Sequence, residues 1–154
     1  HCVTGVQTCA LPISRRGTNF VTHKVVKTAV EIKKGLKDKL ELGNMDSSRD
    51  WGHSYDYVRA MHLILNHSKA KDWIVSTGET RTIRELCEYV FSSLGMNYKD
   101  YVIQNEKYMR PEELNYLKGD SQEIRNKLGW KPTYTFETMI DEMIETWQKK
   151  LSNV

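Results

Sequence analysis

The stretch Gly43-Asn44-Met45-Asp46-Ser47-Ser48-Arg49-Asp50-Trp51-Gly52-His53-Ser54-Tyr55-Asp56-Tyr57-Val58 decides how this chain is read. It lies between an alternating apolar segment, Lys39 to Leu42, and an apolar-periodic segment, Tyr57 to Leu65, so it reads as a strand-to-helix junction. Helix starts leave backbone N–H groups unpaired and favour anions. Asn44, Asp46 and Asp50 are turn and N-cap residue types, and Gly52 reads as the relief of a backbone constraint. Arg49 is placed to meet a phosphate or carboxylate in a two-pronged contact.

Working outward, residues 15–39 hold eight Lys/Arg against Glu31 and Asp38, so the mild net charge of +3 is concentrated there. Val21, Val25, Ala29, Ile32 and Leu36 recur at helical spacing, with Thr18 or Asn19 as cap and Lys24, Lys27 and Lys34 off the apolar stripe. A basic helix of this kind suits a nucleotide diphosphate or a nonspecific polyanion. As a nucleic-acid surface it lacks stacking aromatics, having only Phe20.

On the other side of the junction, Asp72 to Gly78 reads as a strand ending in a turn. Thr82 with Glu85 forms a capping box for an apolar stripe of Ile83, Leu86, Cys87, Val90, Phe91 and Leu94 that ends at Gly95. Tyr101 to Ile103 reads as a short strand. Arg110-Pro111-Glu112-Glu113 holds Arg110 extended before proline. The Arg110 and Glu113 pair suits a nucleotide: the guanidinium takes phosphate, and the carboxylate accepts from ribose hydroxyls or from the ring N–H and amino group of guanine. Asp120 and Ser121 cap a short helix through Ile124 and Leu128, stopped by Gly129. Phe136, Met139, Ile140, Met143, Ile144 and Trp147 trace the closing amphipathic helix, with the methionines as core filler.

The length of 154 residues and a composition 39% hydrophobic and 28% charged describe one ordinary globular domain. No apolar run approaches a membrane span. Cys2, Cys9 and Cys87 make no disulfide framework and no metal spacing, so a reducing, cytoplasmic setting is expected. His53, His62 and His67 read as caps or surface imidazoles. Residues 1–14 contain two of the cysteines, no acid and no Lys or Arg, which excludes a signal peptide with its charged n-region. They resemble the translation of a sequencing adapter fused to a reading frame, and are expected to be an unrelated, disordered leader to a lobe spanning 15–154.

The order Gly-Asn-x-Asp-x-x-Arg-Asp-Trp-Gly-His-x-x-Asp-Tyr-Val resembles the nucleotide-sugar junction of the GDP-mannose 4,6-dehydratases, in the extended short-chain dehydrogenase/reductase superfamily. Arg15-Arg16-Gly17-Thr18-Asn19-Phe20-Val21-Thr22-His23-Lys24 is similar to that family's Arg-Arg-Gly-x-Asn-Phe-Val-Thr-Arg-Lys signature, with His23 in place of Arg. Thr77-Gly78-Glu79-Thr80 with Arg84-Glu85, and Arg110-Pro111-Glu112-Glu113-Leu114, match further family runs; Leu128-Gly129-Trp130-Lys131-Pro132 with Phe136 is general to the superfamily. The resemblance implies that Asn19, Lys24, Arg49, Arg110 and Glu113 bind a GDP-sugar and that Arg16 contacts NADP.

It also implies what stands elsewhere. No Gly-x-x-Gly-x-x-Gly and no Tyr-x-x-x-Lys occurs in this sequence, so the expectation is a helix-rich α/β substrate-binding lobe with the Rossmann domain largely absent. Such a lobe would hold no catalytic residue and no metal, would be inactive alone, and would expose apolar surface made for the missing domain. A homo-oligomer is what the resemblance suggests. A different nucleotide-sugar dehydratase, epimerase or reductase of the same fold is the alternative.

Overall fold

The computed structural model describes residues 10–11, 20–109 and 114–152. In chain order these form β1 (Ala10–Leu11), α1 (Val21–Lys33), β2 (Leu40–Leu42), β3 (Ser48–Arg49), β4 (Gly52–His53) and α2 (Ser54–Leu65). There follow β5 (Arg81–Thr82), α3 (Ile83–Ser93), β6 (Val102–Gln104), β7 (Tyr116–Leu117), α4 (Gln122–Leu128) and α5 (Phe136–Ser152). Helices dominate, and the strands make three small groups: β1 with β4, β2 with β6, and β5–β3–β7. The α/β, helix-rich lobe expected from the sequence is what folds.

Two apolar clusters hold it. The larger joins one face of α1 (Val25, Val26, Ala29), α3 (Leu86, Val90, Phe91) and α5 (Met139, Ile140, Met143) over β2. Each of these helices carries its apolar residues three and four apart, so one stripe per helix is enough to seal a three-helix layer. Cys87 lies inside this layer as a free thiol, and burial pushes it up to about 12, which keeps it protonated and unreactive. The smaller cluster packs Tyr57 and Ala60 of α2 against Trp73, Val75, Ile124 and Trp130.

The structure corrects several expectations. The residue at the N-cap of α1 is Phe20, which makes no side-chain cap; Thr18 and Asn19 lie outside the described residues. Leu36 falls past the end of α1 and is exposed. The segment from Asp72 to Gly78 forms no strand ladder among the described residues, although Trp73 and Val75 are buried and Ile74 is exposed, as in a strand. Its inner side chains found a core, while a ladder also needs a neighbouring backbone. On α2 the buried apolar residues are Tyr57 and Ala60, whereas Met61 and Leu65 join Val58 on the outer face, Leu65 being 70% exposed. That helix is apolar on both sides, and periodicity cannot say which side meets a partner within the chain.

Other signals hold. Thr82 and Glu85 make the reciprocal capping box, and Gly129, at φ +66°, closes α4 in the left-handed conformation.

Candidate functional site

The motif stretch is fastened at three points by carboxylates, and the fastening differs from the expected capping. Asp46 accepts from Nε and Nη2 of Arg84 at 3.0 and 2.8 Å, and its backbone N–H donates to Asn44 Oδ1. Asp50 reaches 27 residues along the chain: its carboxylate accepts from the Thr77 N–H (3.0 Å), the Thr77 hydroxyl (2.6 Å) and the Gly78 N–H (2.9 Å). Asp56, 2% exposed, accepts from the Thr133 N–H and hydroxyl, the Tyr134 N–H and Arg59, while its carbonyl accepts from the Trp130 indole. A buried carboxylate is tolerated only when its lone pairs are filled in this way. Asp50 and Asp56 therefore act as latches that tie the junction to the 77–78 turn and to the 130–134 turn.

The start of α2 is not an open anion site. His53 is its N-cap: Nδ1 accepts from the Tyr55 N–H at 3.1 Å, with Asp56 in the first turn. The ring stacks on Tyr134 with centroids 3.7 Å apart, and Nε2 lies 3.4 Å from Glu142. Gly52 is needed for space rather than for φ, because a Cβ there would stand 2.6 Å from the Tyr57 hydroxyl.

Burial holds the His53 imidazole below its ordinary 6.5, against the pull of Glu142 and Asp56. With the native value depressed, the unfolded chain binds a proton more readily. The stabilisation is complete above pH 6.5 and is lost as pH falls through the native value. Protonation of Nδ1 also removes the acceptor that caps α2. Denaturation midpoints are expected to drop between pH 7 and 5, and His53→Asn, which keeps a capping acceptor but no titrating ring, is expected to flatten that drop. An unchanged slope in the variant would contradict this role.

Arg49 and Lys24, the two described residues of the expected substrate set, occupy the two ends of one strip. β2 and β6 run parallel, Leu40 against Val102 and Leu42 against Gln104. The chains stay side by side beyond the strands. The Asn105 N–H donates to the Leu42 carbonyl, and Tyr108 passes so close to Gly43 that a Cβ there would lie 2.2 Å from its carbonyl oxygen. Asn44 donates to Asn115, Ser48 N–H donates to the Asn115 carbonyl, and Arg49 aligns with Leu117 in parallel register. Residues 40–49 and 102–117 thus flank each other over their described lengths.

Lys24 projects from the first turn of α1 onto the start of this strip. Its Nζ donates to the Glu41 carbonyl at 2.6 Å and sits 4.3 Å from the centre of the Tyr108 ring. Burial lowers its pKa, Glu41 opposes the shift and Lys37 adds to it. At the other end, Arg49 donates from Nη1 to the Ser48 carbonyl at 2.9 Å. Its partner on β5 is Arg81, a like charge directly opposite. Arg81 lies within 3.6 Å of Glu137 and sits over Phe136. Arg16, Asn19, Arg110 and Glu113 lie outside the described residues; the last two fall between Met109 and Leu114, whose neighbours on both sides border the strip.

Sequence reading missed Tyr108, and missed the long-range latching by Asp50 and Asp56. Tyr108 had no signal in its own segment, because its place depends on the β2–β6 register. Among the described residues, no three His, Cys, Asp or Glu side chains gather as a metal site, and no helix is long and apolar enough to cross a membrane. Gly35, Gly95 and Gly129 end helices, and Gly78 is the turn latched by Asp50.

The same fold recurs within larger solved chains. It superposes on RMD from Pseudomonas aeruginosa complexed with NADPH with a TM-score of 0.79 and 26% identity, covering 88% of this chain and 44% of that one. For dTDP-glucose 4,6-dehydratase from Bacillus anthracis in complex with NAD, the TM-score is 0.74 at 21% identity, over 91% and 42% of the two chains.

The sequence narrows this further. Residues 12–143 match the GDP-mannose 4,6 dehydratase family model, and the chain belongs to that family. It is 44% identical over 131 residues to GDP-mannose 4,6 dehydratase 1 of Arabidopsis thaliana, covering 85% of this chain, and 36% identical to the Homo sapiens GDP-mannose 4,6 dehydratase, covering 84%. The chain spans 36% and 40% of the length of those two relatives.

Proposed function

We propose that this chain is the substrate-binding part of an NADP-dependent GDP-mannose 4,6-dehydratase, a lyase that forms GDP-4-keto-6-deoxymannose and water, and that the chain alone does not turn substrate over. The observation that carries the reading is the strip: basic residues of two separate segments, Lys24 and Arg49, stand at the ends of one pair of parallel chain segments. Arg110 and Glu113 stand in the sequence between Met109 and Leu114, outside the described residues. In this reading Lys24 and Arg49, with Asn19, hold the pyrophosphate. Arg110 and Glu113 hold the guanosine.

NADP would supply hydride removal and return, and Arg16 is the residue of this chain assigned to it. Binding groups alone lower no chemical barrier, which is why the chemistry is assigned to a Rossmann domain in the remaining length of such proteins. The apolar outer stripe of α2, Val58, Met61 and Leu65, supports a partner domain there, since such stripes cost stability in water. A free Cys87 suits a reducing, cytoplasmic setting.

Calorimetric titration of the chain with GDP, UDP and dTDP tests the assignment. GDP is expected to bind at least tenfold more tightly than the other two, about 1.4 kcal/mol. A preference for UDP or dTDP would move the chain to another nucleotide-sugar enzyme of this fold. Dehydratase turnover by the chain alone would contradict the placement of the chemistry outside it.

A further inference from the structure

We infer that Tyr108 is a positioning residue for Lys24, its ring fixing the ammonium as a ready donor for a ligand phosphate. The inference rests on the proposed function only in taking the strip as a phosphate site. A lysine ammonium is a compact charge on a flexible four-carbon stem, so binding through it ordinarily costs rotamer freedom. Here that freedom is already removed. One of its three N–H groups donates to the Glu41 carbonyl at 2.6 Å, and the ring face lies 4.3 Å below, leaving two donors to point elsewhere. Burial presses against the charge, Glu41 supports it and the nearby Lys37 opposes it.

The seat is built from the backbone up. Gly43 admits the Tyr108 carbonyl where any Cβ would collide with it. Asn105 caps the turn through Glu106–Tyr108 by accepting from the Lys107 N–H at 3.0 Å, and its amide donates to the Glu41 carboxylate at 3.1 Å. The backbone that carries the ring is therefore held beside residues 43 and 105. Tyr108 is 46% exposed.

The test uses the 154-residue chain, with inorganic pyrophosphate as probe so that base selectivity plays no part. In wild type, the Lys24 ε-methylene protons are expected to show an upfield ring-current shift that persists at pyrophosphate saturation, with their resonances perturbed by the ligand. Tyr108→Phe is expected to keep both the shift and the affinity within twofold. Tyr108→Leu is expected to lose the shift and weaken pyrophosphate fivefold or more. Unchanged affinity in Tyr108→Leu, a wild type that binds no pyrophosphate at millimolar concentration, or saturation that leaves Lys24 unperturbed would each overturn the role, the last two without needing any variant to fold. Pyrophosphate results as expected combined with a preference for UDP over GDP would leave Tyr108 in place and remove only the guanosine assignment.

Discussion

Asp56→Ala is expected to cost about 3–5 kcal/mol of folding stability, enough to abolish a cooperative transition in a domain whose total lies in the usual ~5–15 kcal/mol range. The carboxylate is buried and takes the Thr133 N–H at 2.9 Å, the Thr133 hydroxyl at 2.6 Å and the Tyr134 N–H at 3.0 Å, with Arg59 at 3.2 Å. Alanine leaves two backbone N–H groups and a hydroxyl without their acceptor in a part-buried turn. Each such loss costs about 1–3 kcal/mol. The same turn carries Trp130, whose indole is bonded to the Asp56 carbonyl and whose ring fills the smaller cluster. Once the turn loosens, α2, α4 and the start of α5 lose their common anchor. Urea denaturation followed by tryptophan fluorescence checks this; a loss below about 1 kcal/mol would mean the latch is ornamental.

Gly43→Ala is expected to separate binding from folding. Its Cβ would stand 2.2 Å from the Tyr108 carbonyl oxygen and 2.7 Å from the carbonyl carbon, both backbone atoms that cannot swing aside. Relief requires the Tyr108–Met109 segment to move by about an ångström or more, carrying the ring away from Lys24 and shifting the residues that follow. Gly43 is not at positive φ, so the strain is purely one of space. GDP affinity is expected to fall tenfold or more, about 1.4 kcal/mol, while helical circular dichroism stays within a few per cent because the main cluster of α1, α3 and α5 is untouched. Affinity within twofold of wild type would show that the strip is not where the nucleotide rests.

The two substitutions act on the parts of the molecule that sequence reading saw least clearly. Local signals were legible. The Thr82 and Glu85 box, the glycine that ends α4, and the stripes of α3 and α5 depend on residues three or four apart and folded as read. Residue types in the junction were legible too, but not their partners. Asp50 looked like a helix cap, yet its acceptors serve a turn 27 residues away, and the cap of α2 is the histidine that follows the tryptophan-glycine pair. A carboxylate in a turn has the same sequence signature whether it caps its own helix or a distant turn. Only the tertiary path distinguishes them. The segment from Asp72 to Gly78 shows the same limit, since its alternation fixed which side chains are buried but not whether a neighbouring strand exists. The motifs carried the family because they combine several such constraints in one order.

In the proposed function Lys24, Arg49 and Tyr108 face one phosphate-bearing ligand. Amide and side-chain resonance mapping of the isotopically labelled chain during a GDP titration tests it most directly. The perturbed resonances are expected to cluster at Lys24, Gly43 to Arg49 and Tyr108 to Leu117, saturating with a single dissociation constant, while the end of α5 from Glu145 to Ser152 stays still. Perturbations that spare Lys24 and Arg49, or that saturate separately for the two, would contradict it.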